Sequence, residues 1–281
     1  VNREHVNFRL CFDLLAHLPE YRTMFISGDT ALDAVRSDTL LIMSDVNNVY
    51  NTECPKLLKC VKNVVIVDHH RRQDQLYEFK PLMTYIRPAV AAASELVSEM
   101  LEFSAYRDAL LKEEANLMLA GLMLDTKNFT TAVGMQTFSA VHYLYERGAH
   151  ASVVRKFFTE TMSDLFTASD IDSRTRTYRE KVALTWLSVD RIATEDDNIA
   201  VAKAADKLMN IDGIEASFAL LRADNTVTIS ARSHDKINVQ IIMQRMNGGG
   251  HFDMAGAQVN TATIAEVSAK LKDAIDDYLD N

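Results

Sequence analysis

Cysteine is scarce in this sequence: Cys11, Cys54 and Cys60 are an odd set without the paired spacing of a thiolate metal site. That argues against a disulfide-built scaffold and reads as reduced thiols in a cytosolic protein. Proline is as rare, and all four (Pro19, Pro55, Pro81, Pro88) fall in the first third. Of only nine glycines, four lie between Gly248 and Gly256. The residue types that interrupt regular structure thus sit at opposite ends of the chain, which suggests two differently built halves. Missing as well are any apolar run of membrane-spanning length, any internal repeat and any low-complexity segment. Nor is there an excess of positive charge: 30 Lys and Arg against 39 Asp and Glu leave a net charge of −9. A protein that coats long nucleic acid normally carries a basic footprint, so no long nucleic acid is expected as partner. A small phosphorylated ligand held by local arginines stays open. The first residue is Val1 rather than Met, which reads as a piece of something longer.

What is present suits two domains, since 281 residues with 48% apolar content allow a core in each. In the first half, residues 39–43 read as a strand ending at Ser44-Asp45, 53–62 as a helix, and 64–67 as a strand running into Asp68. A short strand over 82–86 follows, then helical spacing over 94–103, 112–124 and 138–147. Alternating strands and helices imply a parallel sheet covered by helices. Residues 150–181 contain neither glycine nor proline and read as a helical linker. The second half opens with a strand over 182–189. Glu195-Asp196-Asp197 reads as a solvated turn before a helix over 199–209. Asp224-Asn225 then signals a hairpin between strands 216–221 and 227–231, and helices over 238–246 and 264–279 complete an α+β domain with a small sheet.

The chemistry concentrates at Val64-Val65-Ile66-Val67-Asp68-His69-His70-Arg71-Arg72. Four β-branched residues read as a buried parallel strand, and open α/β sheets bind ligands at the carboxyl edge where the acid and imidazoles follow. Oxygen and nitrogen donors together suit a divalent metal, and the two arginines could face phosphate. Asp45 ends a neighbouring apolar strand, so both acids would share one sheet edge; alone, it could equally cap a helix. Asp125 ends a helix whose run from Leu117 to Leu124 is apolar almost all round and reads as core. An acid at a helix C-terminus opposes the macrodipole and needs a compensating charge, either a metal or an arginine such as Arg71 or Arg87. Far downstream, Gly248-Gly249-Gly250-His251 precedes Ala255-Gly256-Ala257. Three consecutive glycines could expose bare N–H groups to phosphate or a base, or could simply connect helix to strand. Arg232 and the hydroxyls of Ser230 and Ser233 could form a phosphate clamp.

Asp-His-His after a buried strand, with Gly-Gly-Gly-His far downstream, resembles the DHH–DHHA1 phosphoesterase superfamily. Asp45-Val46-Asn47, Asp68-His69-His70-Arg71-Arg72, Leu124-Asp125-Thr126-Lys127-Asn128-Phe129 and Gly248-Gly249-Gly250-His251 are most similar to its membrane-anchored cyclic di-AMP phosphodiesterases. The short-oligonucleotide hydrolases and single-strand exonucleases match less well. The resemblance implies an α/β fold: a parallel-sheet DHH domain over 1–149, a helical linker over 150–181 and a smaller α+β DHHA1 domain over 182–281. It implies two Mn²⁺ ions, with Mg²⁺ or Co²⁺ as substitutes, bound through Asp45, His69 and Asp125, while Asp68 and His70 orient ligands or face substrate. Arg232, Ser233, Asn238, Gly249, Gly250 and His251 would hold nucleotide, and cyclic di-AMP would open to linear pApA. A bacterial homodimer is implied too, its cytoplasmic domain attached to upstream membrane and sensory domains.

One family element is not found: a first strand followed by a His and two Asp, which supplies further metal ligands. Glu4 and His5 lack the required spacing. The DHH domain is therefore expected to be N-terminally incomplete, and residues 1–281 alone are expected to bind Mn²⁺ weakly. Two alternatives follow, a hydrolase of pApA or short oligoribonucleotides and a nucleotide-binding module without catalysis.

Overall fold

The computed structural model describes residues 6–71, 77, 79–234, 236–260 and 263–280. The chain divides into two compact units, one up to Thr159 and one from Glu160 onward.

The first unit contains α1 (Val6–Leu15), α2 (Gly28–Ala34), β1 (Leu40–Ser44), α3 (Leu57–Cys60), β2 (Asn63–Asp68) and β3 (Met83–Ile86). These are followed by α4 (Ala93–Glu102), α5 (Lys112–Asp125), α6 (Met135–Glu146) and α7 (Ala151–Val154). Three parallel strands pair in the order β1-β2-β3. The apolar run of β2 needs cover on both faces and receives it. Val64 and Ile66 pack with Met43 and Leu58, whereas Val67 packs with Val90 and Leu96. Each such buried side chain contributes about 1.5–3 kcal/mol relative to exposure. Close packing on both faces fixes the register, because a one-residue slip would exchange the faces and put each side chain in a slot shaped for another. Ser44 therefore lies opposite Val67, and the amide of Asp45 donates to the Val67 carbonyl at 3.0 Å. Both strands deliver their acids to the same edge.

Two expected elements differ. The helix expected over 53–62 shrinks to α3, because Pro55 holds Cys54 out of helical geometry and the helix can begin only beyond it. The run from Leu117 to Leu124 is only partly core: Leu119 and Leu122 are buried, whereas Leu124 is 65% exposed. Leu117, Met118 and Gly121 line an open cleft instead.

The second unit contains α8 (Met162–Ser173), β4 (Arg176–Tyr178), β5 (Val182–Val189), α9 (Glu195–Leu208), β6 (Ala216–Ala223) and β7 (Thr226–Ser233). Then come α10 (Val239–Arg245), β8 (Gly249–Gly250), β9 (Met254–Asn260) and α11 (Ile264–Leu279). The six strands are ordered β4-β5-β6-β7-β9-β8. The β5–β6 pair is parallel and the rest are antiparallel. Period-two alternation sends Phe218 and Leu220 to one face, against Ile242, Met243, Leu271 and Ile275. Ala219 and Leu221 go to the other, against Ile171, Val201 and Ala205. Helices thus cover both faces of the sheet. Residues 150–181, expected as a helical linker, are helical only in part. α8 buries Ile171 against the second sheet, and Arg176–Tyr178 is one of its strands. Among the described residues no helix is long and apolar enough to cross a membrane.

Glu195-Asp196-Asp197 is not a solvated turn but the first turn of α9. Thr194 and Asp197 form a reciprocal capping box, and Arg191 binds the Asp197 carboxylate through both terminal nitrogens. The Arg191 hydrogen bond, helped by the cap, lowers the Asp197 pKa to about 2. A depressed carboxylate stabilises the fold above its unfolded value, and that stability disappears as pH falls through the folded value. Asp197→Ala is expected to cost about 1–2 kcal/mol at neutral pH after allowance for solvent screening. Chemical denaturation of both proteins should show the difference fading as pH drops from about 4 to about 2.

Candidate metal centre

Asp45 and Asp68 emerge side by side at the carboxyl edge of β1 and β2, and their backbones diverge at once. Asp45 adopts φ 61°, a left-handed conformation that takes its carboxylate off the strand line. Asp68 stays in the strand and is fully buried. Its Oδ1 accepts from the His69 amide at 2.7 Å, the His70 amide at 3.1 Å and His70 Nδ1 at 2.8 Å. Its Oδ2 accepts from Asn47 Nδ2 at 2.6 Å. A desolvated carboxylate demands such partners, and these hold the turn that aims both imidazoles.

His69 Nε2 lies 3.3 Å from Asp45 Oδ1 and 3.9 Å from Asp125 Oδ2. The hydrogen bond to Asp45 leads in raising the His69 pKa above the ordinary imidazole value; Asp125 adds to it and burial opposes. The Asp125 carboxyl is also raised, first by burial and further by Asp45, with His69 opposing. Two acids converging on one imidazole thus favour its positive form, a charge that a bound cation could supply instead.

Asp125 ends α5 and is followed by a run of left-handed residues, Lys127 (φ 47°), Asn128 (φ 57°) and Phe129 (φ 64°). Such backbone costs about 1–3 kcal/mol per residue and persists only where the surroundings impose it. Here buried Thr126 imposes it: its hydroxyl donates to the Leu122 carbonyl and accepts from the Phe129 amide. The charge beside Asp125 is His69 rather than an arginine, since Arg87 is paired with Glu99 and Tyr85. Arg71 is exposed, and Arg72 lies outside the described residues.

The expected ligands Asp45, His69 and Asp125 are therefore brought together. Asp45, Asp68, His69 and His70 also offer donor atoms within 4.8 Å of one another. The bonds already made by Asp68 favour Asp125 over it as a ligand. Beside the acids, Ala93, Val97, Leu117, Met118 and Gly121 line a mainly apolar cleft of about 370 Å³. One contributor, the Asn47 amide, is not evident from the motif chemistry.

In the second unit the six nucleotide candidates are placed unequally. Ser233 is buried and donates to the Phe252 carbonyl, and Asn238 caps α10 by accepting from the Gln240 amide. Arg232 is largely buried, with Nε 3.2 Å from Asp206 Oδ1. Gly249 and His251 are exposed. The glycines separate further. A Cβ on Gly248 would overlap the Gly256 carbonyl oxygen, and one on Gly250 (φ 146°) would stand 2.5 Å from Ala255 Cα. A Cβ on Gly249 would meet nothing within 4 Å. Internal packing thus explains two glycines of the run and leaves the third without an internal reason.

Residues 9–122 match the DHH family, N-terminal domain, and residues 182–281 match the DHHA1 domain. The chain is 34% identical over 271 residues to the cyclic-di-AMP phosphodiesterase GdpP of Bacillus subtilis, covering 95% of this chain and 41% of that protein. It is 34% identical to the cyclic-di-AMP phosphodiesterase PdeA of Listeria monocytogenes, covering 94% and 40%. It thus spans about two-fifths of the length of these curated relatives. An exopolyphosphatase-related protein from Bacteroides fragilis shares the fold, with a TM-score of 0.74 at 19% identity over 95% of this chain and 80% of that one.

Two outcomes are expected. Mn²⁺ binding should release a proton and tighten with pH, on the order of tenfold per unit below the raised His69 value, because the cation displaces that proton. In metal-free protein the sign reverses: a raised imidazole stabilises below its unfolded value, and that contribution is lost as pH rises through the folded one. Calorimetry in buffers of different ionisation enthalpy and denaturation against pH test the two. Separately, Gly248→Ala and Gly250→Ala should lower the melting temperature by several degrees, whereas Gly249→Ala should leave it unchanged or raise it.

Proposed function

This chain belongs to the DHH–DHHA1 phosphoesterases, and from that premise we propose that it is the catalytic region of a metal-dependent phosphodiesterase that opens cyclic di-AMP to linear pApA. The observation that carries the reading is the convergence of Asp45 and Asp125 on His69 Nε2. Two carboxylates and one imidazole are a donor set that fits a borderline divalent cation such as Mn²⁺. Asp45, His69 and Asp125 would hold it, as part of a two-ion site. When bound, the metal supplies Lewis acidity and neutralises charge on the phosphodiester.

The remaining work belongs to side chains. Asp68 holds His70 through Nδ1, which leaves the Nε2 of this half-exposed ring free to accept a proton from the attacking water, while the departing ribose oxygen takes its proton from solvent. The apolar cleft beside Asp45 and Asp125 suits a sugar or base better than a second phosphate. In the second unit Gly249 would admit the nucleotide backbone closely and His251 would hydrogen-bond it. Arg232, positioned by Asp206, would offer its remaining guanidinium face, while Ser233, Asn238 and Gly250 would shape the pocket. Identity to phosphodiesterases that act on cyclic di-AMP supports this substrate over longer nucleic acid, as does the acidic charge of the chain. On the same footing the chain would act as a homodimer, within the cytoplasmic part of a bacterial membrane protein.

Mn²⁺-dependent turnover of cyclic di-AMP and of pApA, compared in the protein that carries this chain, tests the proposal. Faster cleavage of the cyclic dinucleotide is expected, and preference for pApA would overturn it. Gly249→Ala should weaken cyclic di-AMP binding on the order of tenfold without loss of melting temperature, as a methyl group entering a close contact does.

A further inference from the structure

Asn47 belongs to neither the expected ligands nor the expected catalytic pair, yet it is one of the few buried polar residues of the first unit, at 7% exposure. Its amide nitrogen donates to Asp68 Oδ2 at 2.6 Å and to the His70 carbonyl at 3.2 Å. Both neighbours are acceptors, so the amide must present nitrogen rather than oxygen to them. The backbone carbonyl of Asn47 accepts from the Tyr77 hydroxyl at 3.0 Å, which anchors the loop after β1. The amide therefore joins the loop carrying Asp45 to the turn carrying both histidines.

We propose that Asn47 is a positioning residue: by holding Oδ2 of Asp68 it keeps Oδ1 aimed at His70, fixing that ring with Nδ1 protonated and Nε2 bare. The carboxylate has a strong reason to respond. Oδ1 carries the two amides and the ring, and Oδ2 carries Asn47. Take the Asn47 donor away and a buried acceptor is left unsatisfied, so the carboxylate gains by turning toward whatever donor or water it can reach. That rotation weakens the Oδ1 bond to His70 Nδ1 and frees the ring to adopt its other tautomer. A neutral amide suits the position because a second carboxylate would repel Asp68.

The tautomer statement concerns this chain alone; its effect on turnover rests on the function proposed above. Long-range ¹H–¹⁵N correlation on imidazole-labelled, metal-free chain at about pH 8 reads it directly, with His70 assigned through His70→Gln. The wild type should show His70 protonated at Nδ1, and Asn47→Ala should raise the Nε2-protonated population several-fold while the His234 and His251 signals stay in place. In the protein that carries this chain, Asn47→Ala should lower kcat about tenfold with KM within about twofold, the usual scale for losing a partner that orients a site. Asn47→Asp keeps the volume and removes the donor, so it should be at least as damaging as alanine. An unchanged His70 tautomer in both variants overturns the proposal. So does wild-type kcat in Asn47→Asp beside a loss in Asn47→Ala, which would mean that Asn47 merely fills space. If neither cyclic di-AMP nor pApA is cleaved by the wild type, the proposed function fails, and the tautomer still decides the role of Asn47.

Discussion

The Asp68 carboxylate, sealed from solvent at the end of β2, is the constraint on which the candidate centre depends. A desolvated acid is tolerable only with donors on both oxygens. Here the donors are the next two backbone amides, the His70 ring and the Asn47 amide. Satisfying the acid forces the chain to fold back over it, and the turn so formed sends His69 toward Asp45 and Asp125. The charge is structural before it is chemical: it dictates where two imidazoles stand while both of its oxygens are already engaged by donors.

Geometry then divides the work between ordered and strained backbone. Strand register, imposed by burial of Val64, Ile66 and Val67, puts Asp45 next to Asp68. Register alone would leave two carboxylates side by side. The left-handed turn at Asp45 separates them, one turning outward while the other stays in the strand. A second left-handed run after Asp125, held by the Thr126 hydroxyl, ends α5 where its acid can meet the same imidazole. Strain at both acids is the expected mark of a site whose positions are imposed for chemistry rather than for stability.

Much of this was legible in the residues. An apolar β-branched run ending in an acid reads as a parallel strand because a strand buried on both faces needs that pattern, and the two strand-end acids then had to share an edge. The paired DHH and Gly-Gly-Gly-His motifs carried the fold and the ligand set together. Two local signals were present in the residues but overridden by the broader pattern: Pro55, which delays the start of α3, and the Thr194-x-x-Asp197 spacing of a capping box, which makes an apparent polar turn the start of a helix. Two further things were not legible, each for a physical reason. An all-apolar helix pattern could not reveal that one side of α5 faces a cleft. Contacts between distant residues, such as Asn47 with Asp68 or Arg232 with Asp206, depend on tertiary placement that no local pattern encodes.

The glycine run shows how that limit can be passed. In the sequence all three glycines look alike, and any of them could have been kept for a ligand. Once the fold is known, each can be asked what a methyl group would strike. Gly248 and Gly250 answer with the backbone of β9, so the hairpin itself requires them. Gly249 answers with open space, and its φ is not one that strains an ordinary residue. A residue costing backbone entropy without internal return leaves the surface beside it open to something outside the chain. A phosphate or a base approaching the main chain is the approach that a single side-chain carbon would block. By this argument the bare position in the middle of the run points to a ligand more strongly than the two crowded ones flanking it.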